Sequence, residues 1–214
     1  MTQLMADTEA PTRRRSVWAG YAAATWALLF AIRGIYWALG GSVGLATLSE
    51  GIKDLHAQGD RMLFAALWMT VVLELFGVVL GLALVRPFGV VFPQWVPVVA
   101  KRRVPNWLLL VPSSGASALL LAHGGTFVGF GLSALIKGET MTTELRWYAM
   151  FWGPWFILGG VLFGAAALAY LRWTSDRRSW RRRIGVAAGV VAFLGGLVAA
   201  AAPFIVTWLA SGSE

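Results

Sequence analysis

Residues 67–81 read LWMTVVLELFGVVLG, and Glu74 is the one charge among them. The stretch lies within a longer apolar run from about 62 to 85. A helix needs about 20 apolar residues to cross roughly 30 Å of hydrocarbon, so this run is long enough to span. Four further runs match it in length, at about 17–40, 107–136, 147–171 and 184–210. None alternates apolar and polar residues with period two. Only helices and closed barrels satisfy their backbone groups in lipid, so the runs predict helices. The expected fold class is all-α: a polytopic membrane bundle of five transmembrane helices, forming one domain over 16–211.

Composition leads to the same class. Charged residues make up 13% of the chain and apolar ones 58%, whereas soluble domains carry roughly 25% charge. The absence of Cys excludes disulfides and thiolate metal sites. Two histidines, His56 and His123, are too few for a His-rich metal centre. No metal or cofactor is expected. The net charge of +8 comes mainly from Arg in short runs beside apolar segments, as in RRR (13–15) and RRSWRRR (177–183). That pattern fits cytoplasmic loops against anionic lipid headgroups, not nucleic acid.

Residues 1–15 are polar and close on the triple Arg, which predicts a disordered cytoplasmic tail. The apolar run from Val17 is too long for a cleaved signal peptide and reads as a retained helix. Arg13, Arg14 and Arg15 precede helix 1. Arg86, Lys101, Arg102 and Arg103 occupy the second loop, and Arg172, Arg177, Arg178, Arg181, Arg182 and Arg183 the fourth. The first loop balances Lys53 and Arg61 against Glu50, Asp54 and Asp60, and the third balances Lys137 and Arg146 against Glu139 and Glu144. The alternation predicts a bacterial plasma-membrane protein with its N-terminus inside and its C-terminus outside.

In the second loop, Pro87, Pro93, Pro97 and Pro105 forbid a long helix, and Trp95 suits the cytoplasmic interface. The chain also admits a parallel two-helix repeat plus a fifth helix. Gly77 and Gly81 stand at one offset from Gly160 and Gly164, and ALGG (38–41) at nearly that offset from AHGG (122–125). Chance similarity between Gly-rich membrane helices is the other reading.

Glu74 shares a helix face with Gly77 and Gly81, one and two turns on, which turns the carboxylate into the bundle. A charge at mid-bilayer costs about 2.5–3.5 kcal/mol or more. A proton or a nearby cation would reduce that cost, and Thr70, one turn back, is a candidate hydrogen-bond partner. Arg33 on helix 1 is the candidate cation. Two fates are open to it, pairing with Glu74 or snorkelling to the outer interface. Inward pairing is favoured, because intramembrane ionisable groups face the interior. At 1.5 Å per residue, Arg33 lies about 10 Å and Glu74 about 18 Å from the outer ends of their helices. His123 on helix 3 falls at about 20 Å, level with Glu74, with Thr126 further along its face. The pair suits either a proton relay or a plain helix-to-helix contact.

Twelve Trp is a high count. Trp18, Trp107, Trp147, Trp173 and Trp208 sit near helix ends and fit interfacial belts. Trp26, Phe30 and Trp37 form a stripe with Arg33, and Tyr148, Trp152, Trp155 and Gly159 form another. Together these line an aromatic cavity or pack as core. Walker, HExxH and GxSxG signatures are absent.

On YWALGG (36–41), VRPFG (85–89) and the Pro-rich basic loop, the chain resembles an uncharacterised family of small multipass membrane proteins from high-GC Gram-positive bacteria. The resemblance implies a plasma-membrane location and supplies no reaction. FWGPWFILGG (151–160) looks like part of the signature of tryptophan-rich sensory (translocator) proteins, a weaker likeness.

Three functions fit these residues. The first, and the expected one, is a binder or carrier of an apolar or amphipathic small molecule, using Arg33, Trp26, Trp37, Trp152, Trp155 and Thr126, with proton coupling through Glu74. The second is an intramembrane enzyme on an isoprenoid or other lipid, with Glu74 as acid and His123 as base. The third is an accessory subunit whose Arg33–Glu74 pair fixes helix register.

Overall fold

The computed structural model describes residues 17–174 and, beyond them, residues 183, 186, 187, 189–191, 193 and 194. The expected tail over 1–15, most of the expected fifth helix over 184–210, and most of the Arg cluster in the fourth loop lie outside the described residues.

The described residues are helical apart from turns and one isolated antiparallel bridge between Val91 and Arg103. Helix α1 is Trp18–Ala38, α2 is Glu50–Ala57, α3 is Arg61–Ala83 and α4 is Asn106–Lys137. Helix α5, Thr143–Trp147, runs through a π-helical turn (Tyr148–Trp152) into α6, Gly153–Thr174. Among the described residues, three helices are long and apolar enough to cross a membrane: Arg61–Ala83, Asn106–Lys137 and Thr143–Arg172. The fifth expected helix lies mostly outside the described residues. Helix α1 has the length, at 21 residues, but Arg33 and its Trp, Tyr and Gly residues lower its hydropathy. Much of the apolar surface of α3 faces outward, including Met69, Val72, Leu73, Phe76 and Val79. Outward apolar faces of this extent need a nonaqueous neighbour.

Local chemistry sets the ends. Asp60 caps α3 by accepting a hydrogen bond from Leu63 N at 2.8 Å. Thr142 caps α5 through Leu145 N at 3.1 Å. Helix α1 stops at Gly40, whose φ of +90° closes a Schellman turn with Gly41 N donating to Tyr36 O. Gly138 ends α4 the same way, with Glu139 N donating to Ala134 O. The expected start near 147 is four residues late, because the first turn, TELR, is polar and hydropathy misses it. Helix α2 falls in what reads as a plain outer loop.

Helices α1 and α3 pack closely, as do α4 and α6, and the α1–α6 contact joins the two pairs. Small residues permit the approach. A Cβ on Gly81 would come within 2.8 Å of Ala24 N, and one on Gly160 within 2.9 Å of Ser117 O. ALGG spans the C-terminal end of α1, whereas AHGG lies inside α4, so these two motifs do not occupy matching places. The core is aromatic: Trp26, Phe30, Trp37, Trp152, Phe163 and Tyr170 are all buried. The loop between α3 and α4 contains no long helix. Its ends pair through Val104 N to Val90 O and Phe92 N to Arg102 O, leaving Trp95 82% exposed near the tip.

Candidate functional site

Glu74 is 8% exposed, in the α1–α3 interface. Its place there is opened by Gly34: a Cβ on that glycine would lie 2.9 Å from Glu74 Oε2. One residue earlier in α1, Arg33 directs Nη2 to within 3.6 Å of Glu74 Oε1. The guanidinium is held by rings as well as by charge. Its carbon lies 3.9 Å from the Phe30 centroid, 4.3 Å from that of Trp37 and 5.3 Å from that of Trp152. Cation–π contacts of this kind strengthen when desolvated. Among the described residues, neither Glu74 oxygen has a hydrogen-bond partner, and Arg33 Nε is likewise unpartnered. Thr70 does not supply the expected bond to Glu74. Its hydroxyl donates to Ala66 O at 2.9 Å, the local partner that an apolar helix offers a Thr side chain.

Arg33 opens onto a cavity of about 480 Å³ between α1, α3, α4 and the π-turn, roofed by the segment from Leu45 to His56. This volume falls in the range of small-molecule sites, roughly 300–1,000 Å³. Phe30, Trp37, Phe127, Tyr148, Trp152 and Phe156 form its aromatic wall. Leu63, Leu67 and Thr70 face it from α3, and His123 from α4.

The roof is a tethered cap. Leu45, Leu48, Ile52 and His56 all line the cavity, with Ile52 and His56 one turn apart on the same face of α2. Ser49 N donates to the Tyr148 hydroxyl at 3.1 Å, and Trp152 Nε1 to Thr47 Oγ1 at 3.1 Å. Trp37 Nε1 donates to Val43 O at 2.8 Å, and His56 Nε2 to Trp37 O at 3.1 Å.

The residues expected at a site divide into two groups. Arg33, Trp37, Trp152 and His123 line the cavity. Trp26 and Trp155 do not: they stack on each other, with Trp26 Nε1 donating to Trp155 O at 3.0 Å. Trp26 belongs to the buried core, and Trp155 packs against it. Thr126 is also off the wall, its hydroxyl folded onto Ala122 O at 2.9 Å. Glu74 stands behind Arg33 and is not among the lining residues. His123 packs on Phe127 and Phe156, at centroid distances of 4.5 and 4.7 Å. No described hydrogen bond or ion pair connects it to Glu74. Sequence reasoning missed His56, Phe127, Phe156 and the whole cap. The four-residue spacing of Leu48, Ile52 and His56 was the available signal.

Among the described residues, no group of three or more His, Cys, Asp or Glu side chains is placed to hold a metal.

A small-molecule-sized aromatic cavity with a paired charge at its wall, inside an apolar helical bundle, defines a class of membrane-compatible helical proteins without naming a reaction. Residues 26–163 match the family described as "Protein of unknown function (DUF3995)", and the chain belongs to that family. Every residue lining the cavity falls within the matched span. No curated protein and no solved structure matches the chain.

Proposed function

We propose that this chain is a multipass plasma-membrane protein that binds an apolar or amphipathic small molecule in the capped cavity, to sense it or to carry it. The N-terminus lies in the cytoplasm, the chain crosses five times, and the cap faces outward. The charge alternation of the loops supports this orientation. On this reading, the loop around Trp95 with Arg86, Lys101, Arg102 and Arg103 lies against anionic headgroups.

The observation that carries the binding function is the cavity itself, walled by six aromatic rings with Arg33 at its edge. Binding is favoured over acid catalysis because the Glu74 oxygens sit in the helix interface, paired to Arg33. A proton held there has no direct line to a molecule in the cavity. Proton coupling through Glu74 remains part of the proposal, as a change in the charge on which Arg33 rests.

The test is native mass spectrometry of protein taken from its own membrane, wild type beside Leu67→Trp. Leu67 lines the cavity and is only partly buried, so the larger ring fills space without entering the core. A discrete hydrophobic adduct on the wild type, lost in the variant, is the expected result. An adduct unaffected by filling the cavity would place the ligand elsewhere, and two adduct-free spectra would favour the accessory-subunit reading.

A further inference from the structure

We infer that the cavity takes a neutral, flat ring whose oxygens accept hydrogen bonds at two ends, the chemistry of a lipid-soluble quinone head. The inference rests on the cavity reading above and narrows its ligand.

Charge is the first argument. Arg33 already has a counter-ion, with Glu74 Oε1 at 3.6 Å. An anionic headgroup at Arg33 would meet the carboxylate behind it, and a cationic one would meet the guanidinium. A carbonyl oxygen meets neither penalty. It accepts an N–H of Arg33 and leaves the ion pair in place. Arg33 has donors to give: a guanidinium carries five N–H groups, its Nε has no partner among the described residues, and Nη2 stands 3.6 Å from the carboxylate, beyond hydrogen-bond reach.

Shape is the second. On the cavity wall, Phe30 and Phe156 have centroids 5.4 Å apart at an interplanar angle of 86°. Trp37 and Trp152 meet edge to face at 6.2 Å, and Phe127 stacks on Tyr148 at 4.6 Å. Walls of ring faces and edges favour a planar aromatic guest over a saturated chain.

The second pole is His123. The two helix pairs close alike at this level. A Cβ on Gly34 would strike Val71 and Glu74 of α3, and a Cβ on Gly124 would strike Gly153 and Ile157 of α6. The residue preceding each glycine faces the cavity: Arg33 before Gly34 and His123 before Gly124. The two polar side chains therefore enter the same space from corresponding positions on opposite pairs. The imidazole makes no described hydrogen bond, and its N–H is a donor for the second oxygen.

The experiment is equilibrium dialysis of nanodisc-embedded protein, with empty nanodiscs as the partition baseline. The three probes are 2-methyl-1,4-naphthoquinone, 2-methylnaphthalene and dodecanoate. The expected result is one naphthoquinone site per chain, about tenfold tighter than the hydrocarbon of the same outline, and no displacement by dodecanoate. His123→Phe should keep the hydrocarbon affinity, which also shows that the fold is intact, and lose about threefold for the quinone, half of the advantage in free energy. Equal affinity for quinone and hydrocarbon, or an unaffected His123→Phe variant, would overturn the quinone head and leave the cavity reading standing. Displacement by dodecanoate would reassign the site to an anionic amphipath. No binding of any probe above the baseline would remove the cavity reading as well.

Discussion

Arg33 and Glu74 stand 3.6 Å apart across the α1–α3 interface, and three aromatic rings hold the guanidinium in place. Removing one partner of a buried pair leaves an uncompensated charge and costs about 3–5 kcal/mol, whereas replacing both with apolar residues is often neutral. Arg33→Leu and Glu74→Leu should each lower thermal stability in detergent sharply, and the double substitution should recover most of the loss. The double variant also separates roles. If Arg33 serves only helix register, ligand binding survives in it. If Arg33 is the polar anchor of the cavity, stability returns and binding does not.

The place of Glu74 depends on a missing side chain. Gly34→Ala would set a Cβ 2.9 Å from both Glu74 Oε2 and Val71 Cγ2, closer than ordinary contacts permit. Overpacking of this kind costs about 1–3 kcal/mol. Gly125→Ala is the control, since a Cβ there meets nothing within 4 Å. Thermal unfolding of the two variants should show a loss for the first and none for the second. Equal behaviour would mean that the α1–α3 interface relaxes around the added methyl.

The long helices were legible because a run of apolar residues needs no partner to declare itself. Arg33 and Glu74 stood out for the same reason, as charges where charge is costly. Glu74 next to Gly77 and Gly81 even gave its direction into the bundle. The cap was not legible. EGIKDLHA is polar on average, and its meaning lies in Leu48, Ile52 and His56 facing residues far away in the chain. Trp26 and Trp37 show the same limit from the other side. Both sit on one stripe of α1, yet Trp26 points to Trp155 in the core and Trp37 to the cavity. Periodicity gives the face of a helix, and only the neighbouring helix decides whether that face meets a ring or a space. Thr70 and Thr126 each donate their hydroxyl to a carbonyl of their own helix, a local choice that no spacing in the sequence reveals.

The cap hangs on a few bonds and should open before the bundle does. Tyr148→Phe removes the acceptor of Ser49 N, a change worth about 1 kcal/mol. Amide hydrogen exchange over residues 44–57 should speed up roughly fivefold, while α3 and α4 exchange as before. A ligand in the cavity should slow exchange in the same segment, because Leu48, Ile52 and His56 line it. Uniform acceleration across the chain would mean that the tether belongs to the global fold and not to a separately opening cap.

The proposed orientation has a direct check, because the chain contains no cysteine to interfere. Gln58 follows α2 at the cap end of the bundle, and Gln94 lies near the tip of the loop between α3 and α4. Both are exposed, so substitution should not disturb the packing. In intact cells, Gln58→Cys should react with a membrane-impermeant maleimide, and Gln94→Cys only after permeabilisation. The physical basis is the excess of Arg and Lys that keeps Arg86, Lys101, Arg102 and Arg103 on the cytoplasmic side. This outcome would put the cap, and with it the way into the cavity, on the outer face, so that a ligand would enter from outside or from the outer leaflet. The reverse labelling would place the mouth of the cavity in the cytoplasm and move the search for its ligand to cytoplasmic products. Labelling of both sites in intact cells would show that the segment between them does not separate two compartments, and would remove the multipass reading.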